Sequence, residues 1–250
     1  MSLILIATSH LSLNAQPAAT IDYFEPSVLT GTVYAKAADP KEVLFTFKRT
    51  ATRSGQTIHV LREFTSPAGK LAARERVQYE GDRLVSVEFE EPGSGAAGTI
   101  AVDAEGKSAS ERKVHFTYSA GADSSKKTDS EKFQGDTLVS DMIAPWLAAH
   151  WAALTNGSAV KCRYAVVARL ETVGFKFVKE SEGTWRGIPV ITVKMEPTSW
   201  VIARLVDPLH FTVEKEGQHR VLQYIGRTTP RLQHGKKWED LDAVSVYDWK

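Results

Sequence analysis

Seven histidines and one cysteine are the residues best suited to metal or nucleophilic chemistry in this 250-residue chain. They are scattered. His210 and His219 flank one predicted hairpin, "LHFTVEKEGQHRVLQYIG", where they would face each other across it. No carboxylate at a defined spacing supports them, so they make a poor metal site, and none is predicted. Cys162 lies in "AVKCRYAVVARLE", on the apolar side of an alternating run, and reads as a small buried hydrophobe rather than a reactive thiol. A single cysteine cannot close an intramolecular disulfide. His150, in "DMIAPWLAAHWAALTNG", has apolar neighbours. It reads as a neutral core histidine bonded to a backbone carbonyl, or as a polar handle for a bound head group.

Other chemistry has little to build on. Glu90–Glu91 and Asp240–Asp242 are carboxylate pairs in turn-like or polar sequence, and a glycosidase needs two carboxylates projected into one cleft. "GSGAAG" (93–98) precedes a strand rather than a helix N-terminus, so it reads as a flexible hairpin loop and not a phosphate cradle. No Gly-Lys-Ser/Thr loop, His-Glu-x-x-His or Gly-x-Ser-x-Gly motif occurs. Lys161, Arg163, Arg169, Lys176 and Lys194 form a basic row that reads as a solvated sheet face, or as a phosphate-holding rim if it lined an opening. No catalytic residue, metal or cofactor is predicted.

The bulk numbers narrow the classes. A formal net charge of +1 creates no global field for nucleic acid or anionic membrane. Hydrophobic and charged fractions of 42% and 24% are those of a chain that can build its own core. Residues 3–15 form an apolar stretch ending in small residues. It resembles a secretory signal cleaved after Ala15 or Ala19, though its start carries no Lys or Arg. The expectation is a signal peptide over 1–19 and a periplasmic or otherwise exported protein. No other stretch approaches the roughly 20 apolar residues of a membrane span.

Most of the chain has period two, the strand signature. Val43, Phe45 and Phe47 share a face, as do Ile58, Val60 and, past Arg62, Phe64. So do Val77 and Tyr79; Val85, Val87 and Phe89; Val114, Phe116 and Tyr118; and Val160 through Leu170 in one long run. "SPAGK", "EGDR", "EPGSGAAG", "DAEGK" and "SEGTWRG" are short turn sequences, which favour antiparallel neighbours. About ten strands are expected. "SAGADSSKKTDSEK" (119–132) reads as a mobile loop or an exposed hairpin tip. The domain runs over 20–232, and 233–250 reads as a polar tail, with an added edge strand near its end.

One helix is predicted over 141–156, with Asp141 as N-cap and Gly157 as the C-terminal stop. It carries no charge after Asp141. A helix apolar all round is buried, with Ala148, Ala149 and Ala152 allowing close approach to backbone. A second segment, "EPTSWVIARLVDPLHF", reads as a helical turn between prolines. The fold class is therefore mainly β: a large curved antiparallel sheet, half-barrel or open barrel, wrapped around one central apolar helix.

From Asp136 to Arg231 the stretches "DTLVSDMIAPWLAAHWAALTNG", "FKFVKESEGTWRGIPVITVKMEP" and "SWVIARLVDPLHFTVEKEGQHRVLQYIGRTTP" resemble uncharacterised exported bacterial proteins of the DUF3108 kind. These are in turn similar to the LolA/LolB-like half-barrel carriers of lipids and lipoproteins in the cell envelope. The resemblance implies an open sheet with an apolar concave face and no catalytic residues. The lipid-attachment Cys of some envelope carriers is missing here. The expected function is binding or carrying an apolar ligand, a lipid or acyl chain. Candidate binding residues are Trp146, His150, Trp151, Phe175 and Trp200. The alternative is an envelope structural or protein-interaction module with a filled core, and after that a hydrolase.

Overall fold

The structure is a computed structural model that describes residues 21–36, 42–104, 111–204 and 207–249. The expected signal peptide lies outside the described residues. The first half is strand after strand: β1 Val28–Ala35, β2 Val43–Ser54, β3 Thr57–Thr65, β4 Leu71–Glu80, β5 Arg83–Glu91, β6 Ala96–Val102, β7 Lys113–Ser119, β8 Lys127–Lys132 and the short β9 Thr137–Leu138. Two short helices follow, α1 Ile143–Ala149 and α2 Trp151–Thr155. The rest is β10 Val160–Val166, β11 Glu171–Trp185, β12 Ile188–Pro197, β13 Leu209–Glu214, β14 Val221–Arg227, β15 Leu232–His234, β16 Lys237–Glu239 and β17 Asp242–Asp248.

Fifteen strands form one sheet in the order β8-β7-β6-β5-β4-β3-β2-β1-β17-β14-β13-β12-β11-β10-β9, with β15–β16 a separate hairpin. Every pairing described in the large sheet is antiparallel except β9–β10. Strands at opposite ends of this order meet in space. The Thr172 N–H at the start of β11 donates to Glu131 Oε1 of β8 at 2.8 Å. Val167 lies on Gly98 of β6, where an added β-carbon would come within 2.6 Å of Val167 Cγ2. The sheet therefore curls back on itself, but its edges β8 and β9 do not pair, and the barrel stays open.

The chain departs from its sequence-based reading at several places. Fifteen strands replace about ten because polar and glycine-containing segments also pair. Ala96–Gly98 of "GSGAAG" belong to β6, leaving the turn to the residues before them. Part of the polar 119–132 segment is the exposed edge strand β8. The run from Val160 to Leu170 bends after Val166 into a 3-10 turn, Val167–Arg169, and Leu170 takes a left-handed φ of 59°. The end of the expected polar tail is no edge strand. As β17 it sits between β1 and β14 and joins the two halves of the sheet.

The helix is short and bent rather than one long central rod. Backbone bonds from His150 N–H to Trp146 O (3.1 Å) and from Leu154 N–H to His150 O (3.1 Å) continue the ladder through the bend. The His150 ring also uses the Trp146 carbonyl, at 2.9 Å from Nδ1, which therefore carries the proton. The C-terminal stop is as expected: Gly157 has φ +81°, and the N–H groups of Gly157 and Ser158 return to Leu154 O and Ala153 O, a Schellman closure. Ile143, Leu147, Trp151 and Leu154 are buried against the sheet. Ala149 and Ala152 are exposed, so the alanine face is not a close-approach surface.

Asp141 is not an N-cap. No side-chain cap bond occurs at this helix start. The carboxylate instead lies buried inside the barrel, where Arg49 Nε donates to Oδ1 at 2.7 Å and Arg49 Nη2 to Oδ2 at 3.0 Å. Tyr79 Oη donates to Oδ2 at 2.9 Å. Arg49, Arg62 and Glu75 occupy matched register positions on β2, β3 and β4. Arg62 donates to Glu75 and lies 3.8 Å from Asp141. Two guanidiniums are thus neutralised by two carboxylates, as buried ions require. Burial works against the Arg62 charge, but Glu75 and Asp141 outweigh it and raise its pKa. Arg49 also bonds the carbonyls of Tyr23, Phe24 and Pro26, tying down the segment before β1.

This charged row divides two apolar clusters. One side holds the helix, with Val60, Val77, Phe116 and Phe177 among its partners. The other is built on Val33, Phe45, Phe47, Phe64 and Ala73, with Leu232 from the β14–β17 connection. That connection folds over the second end of the barrel. Arg231 in it bonds the buried Glu91, and Thr229 Oγ1 reaches Glu75 Oε1 at 3.4 Å.

Candidate functional site

The helix end of the barrel holds a cavity of about 220 Å³. Five pieces of chain build it. The segment before β1 supplies Tyr23, the β4–β5 turn supplies Asp82, Arg83 and Leu84, and the helical plug supplies Met142 and Trp146. Arg112, before β7, Phe133 in the β8–β9 link, and Thr137 and Leu138 of β9 complete its lining. The Tyr23 ring stacks on Tyr79 at 4.5 Å, so the charged row that anchors the helix also sets this wall. The Arg112 guanidinium lies 4.9 Å over the Phe133 ring, and its Nε donates to the Asp103 carbonyl at 3.2 Å.

Two polar atoms on this wall lack a partner among the described residues. Thr137 Oγ1 and Trp146 Nε1 are fully buried, and neither makes a hydrogen bond there. A buried polar group left unpaired costs about 1–3 kcal/mol.

The candidate residues named from the sequence separate. Trp146 lines the cavity, and His150 lies against its ring at 3.9 Å between centroids. Trp151 is buried on the other side of the bend and stacks on His219 at 4.4 Å. Phe175 is a core residue packed edge-on against Tyr164. Trp200 is 68% exposed, beside a 3-10 turn at Ile202–Arg204, with the Arg204 guanidinium over its ring. It fills no interior space, because β12 ends before it and its segment runs outside the sheet. Sequence reasoning misses Tyr23, Thr137 and Arg112, since they come from three unrelated stretches that only the fold brings together.

The other motifs resolve into structure. Glu90 points outward to Arg74 and Arg76, whereas Glu91 points inward to Arg231, so this pair shares no cleft. Asp240 and Asp242 both bind Arg227. Lys176 and Lys194 share Glu196 at 3.0 Å each, and Arg169 pairs with Glu171. Arg163 donates to Thr172. Carboxylates and hydroxyls thus engage most of the basic row, which removes the basis for a phosphate rim. His210 pairs with Glu180 and is not opposite His219. Burial, with Asp136 as a second cause, pushes the Cys162 thiol up to about 12, so it is not a ready nucleophile. A second, larger hollow of about 360 Å³, between Thr52, His59, Gln78 and Glu88, lies on the outer face of β2–β5. It is an open groove with Thr52, His59, Arg76 and Glu88 exposed around it.

Phenols line the interior: Tyr23 and Tyr79 are buried, and Tyr118, Tyr164, Tyr224 and Tyr247 are half-buried. Burial above all raises the pKa of Tyr23, Tyr79, Tyr118, Tyr164, Tyr224 and Tyr247, with Asp141 adding to the effect at Tyr79. A raised native value means the folded state holds protons that the unfolded chain releases above a pH of about 10. Stability is untouched by these groups below that pH and falls as pH rises beyond it. Alkaline titration should therefore show tyrosinate absorbance rising steeply together with loss of far-UV circular dichroism. A smooth titration centred near the free tyrosine value, with the fold intact, would contradict this burial.

The fold and cavity define a class: a mainly β protein with one large, curled, unclosed sheet whose interior is plugged by a short helix. No protein-family model matches the chain, and no curated protein matches it. Among solved structures, a β-barrel-like protein of the domain of unknown function DUF1849 from Brucella abortus is similar. It has 9% identity and a TM-score of 0.39, over 89% of this chain and 98% of that one. A porin-like protein from Bacteroides uniformis has 8% identity and a TM-score of 0.21, over 88% and 95% of the two chains. Such values carry no functional argument. The resemblance to the DUF3108 kind and to envelope carriers rests on the sequence stretches alone. No helix among the described residues is long and apolar enough to cross a membrane.

Proposed function

We propose that this protein is an exported, non-catalytic binding protein that holds the apolar part of a small amphiphile in the cavity beside Trp146. The cavity itself carries the reading: it lies against the helical plug, and Leu84, Phe133, Leu138 and Met142 give it an apolar side. Its volume is below the roughly 300–1,000 Å³ of sites for drug-sized ligands. It suits one short chain, not a whole phospholipid. The apolar stretch at residues 3–15 supports export.

The runner-up is an envelope interaction protein with a filled core. It draws on the packing elsewhere inside the barrel, where a buried ion row and two apolar clusters occupy the space. Ligand titration separates the two. Medium-chain fatty acids should change tryptophan fluorescence saturably and raise the melting temperature with concentration, as mass action requires. No saturable change in either signal would favour the interaction protein.

A further inference from the structure

We propose that the outer groove on β2–β5 binds an extended, neutral, β-1,4-linked oligosaccharide. This is a second site, independent of the cavity beside Trp146. Register sets Thr52, His59, Gln78 and Ser86 directly opposite one another on four successive strands. They project outward, since Ile58, Val60, Val77, Tyr79 and Val87 beside them are buried. All four line the groove, whose volume of about 360 Å³ falls within the roughly 300–1,000 Å³ of small-molecule sites. None of the four side chains hydrogen-bonds another described residue. The charged side chains on the same face do find partners: Arg74 bonds Glu63 and Glu90, and Arg76 reaches Glu90 at 3.4 Å. A β-bulge shapes the place. Gln78 is opposite Ser86 but Tyr79 is opposite Leu84, so Val85 is an extra residue in β5. Such a bulge bends its strand and re-aims the side chains next to it.

The chemistry of the lining selects the ligand. Hydroxyls, an amide and an imidazole both donate and accept. Arg76 and Glu88 lie 3.8 Å apart and offset each other's charge. A ligand with many hydroxyls and no net charge matches that set. Leu61, half-buried between Thr50 and Arg76 in the next row, gives the C–H face of a sugar ring an apolar step. Spacing selects the linkage. The four polar side chains recur once per strand, about every 4.8 Å, and a pyranose in an extended β-1,4 chain advances by a similar length. Successive sugars lying across the strands therefore meet successive side chains, whereas an α-1,4 chain coils out of that register. A peptide strand has no place here, because β2–β5 are paired on both edges and accept no added strand.

The test uses the full chain, with chitotetraose and cellotetraose as probes and the α-1,4-linked maltotetraose as control. Titration at neutral pH is followed by amide chemical shifts. At least one β-1,4 tetramer should shift the amides of Thr52, His59, Gln78 and Ser86 saturably, and maltotetraose should not. Chitotetraose against cellotetraose tells whether an N-acetyl group is needed. His59→Ala with Gln78→Ala removes two central side chains and should weaken binding on the order of tenfold. Thr52→Ala with Ser86→Ala is the second pair and should act in the same direction. Neither pair touches the core, so both should keep the parent's melting temperature and its response to medium-chain fatty acids. Saturable binding indifferent to both pairs would remove the groove as the site. Equal binding of maltotetraose would overturn the extended-chain assignment, and no saturable shift with either β-1,4 tetramer would overturn the proposal, whatever the fatty-acid titration shows for the cavity.

Discussion

Asp141→Ala should destabilise the fold by about 3–5 kcal/mol, the range found when one partner of a buried ion pair is removed. The change deletes the bidentate acceptor of Arg49 and the acceptor of Tyr79 Oη together. Arg62 keeps Glu75, but Arg49 keeps only backbone carbonyls and no opposite charge. Asp141 is also the side chain that ties the start of the helical plug to β2, across 92 residues of sequence. Losing it therefore loosens the wall of the cavity as well as the core. The double change Arg49→Met with Asp141→Leu should recover much of the loss, because it leaves no unpaired charge and exchanges ions for apolar volume. Urea unfolding of the two single variants and the double variant measures the coupling. Single-variant losses near zero would mean that the row does not anchor the helix.

Leu147→Ala should cost about 2–5 kcal/mol and Trp151→Ala about 3–5 kcal/mol, since each empties space inside a packed core. Leu147 is fully buried, and Trp151 is buried with its ring on His219. Ala149→Leu and Ala152→Leu should change stability little, because those positions are exposed. The pattern within one helix is the informative result. Thermal or denaturant melts in which the alanine changes cost as much as Leu147→Ala would mean that the helix is enclosed on all sides, as its composition alone suggests.

Local order along the chain determined several features. Alternation at Phe45 and Phe47, or Val77 and Tyr79, depends only on sequence neighbours, so the strands and their buried faces are legible in it. The Gly157 stop is local too, since a left-handed residue and two backbone bonds complete it within one turn. A signal for the charged row is present as well. Arg49, Arg62 and Glu75 fall in phase with the inward apolar positions of their strands, which on a solvated face they would not.

Only the tertiary structure decided which strands pair and what meets inside. Alternation says that Arg49 faces inward but not that Arg62 and Glu75 lie beside it, or that Asp141 supplies the missing charge. A charge-free stretch reads as buried all round, yet only one stripe of the helix meets the sheet. The other side is exposed because α1 and α2 sit at the end of the barrel, where strands do not enclose them. β17 reads as a terminal addition, but its place between β1 and β14 follows from long-range hydrogen bonding that leaves no local mark. The cavity is the same case: Tyr23, Leu84, Arg112, Thr137 and Trp146 share no spacing, and only the curl of the sheet around its helical plug makes them one wall.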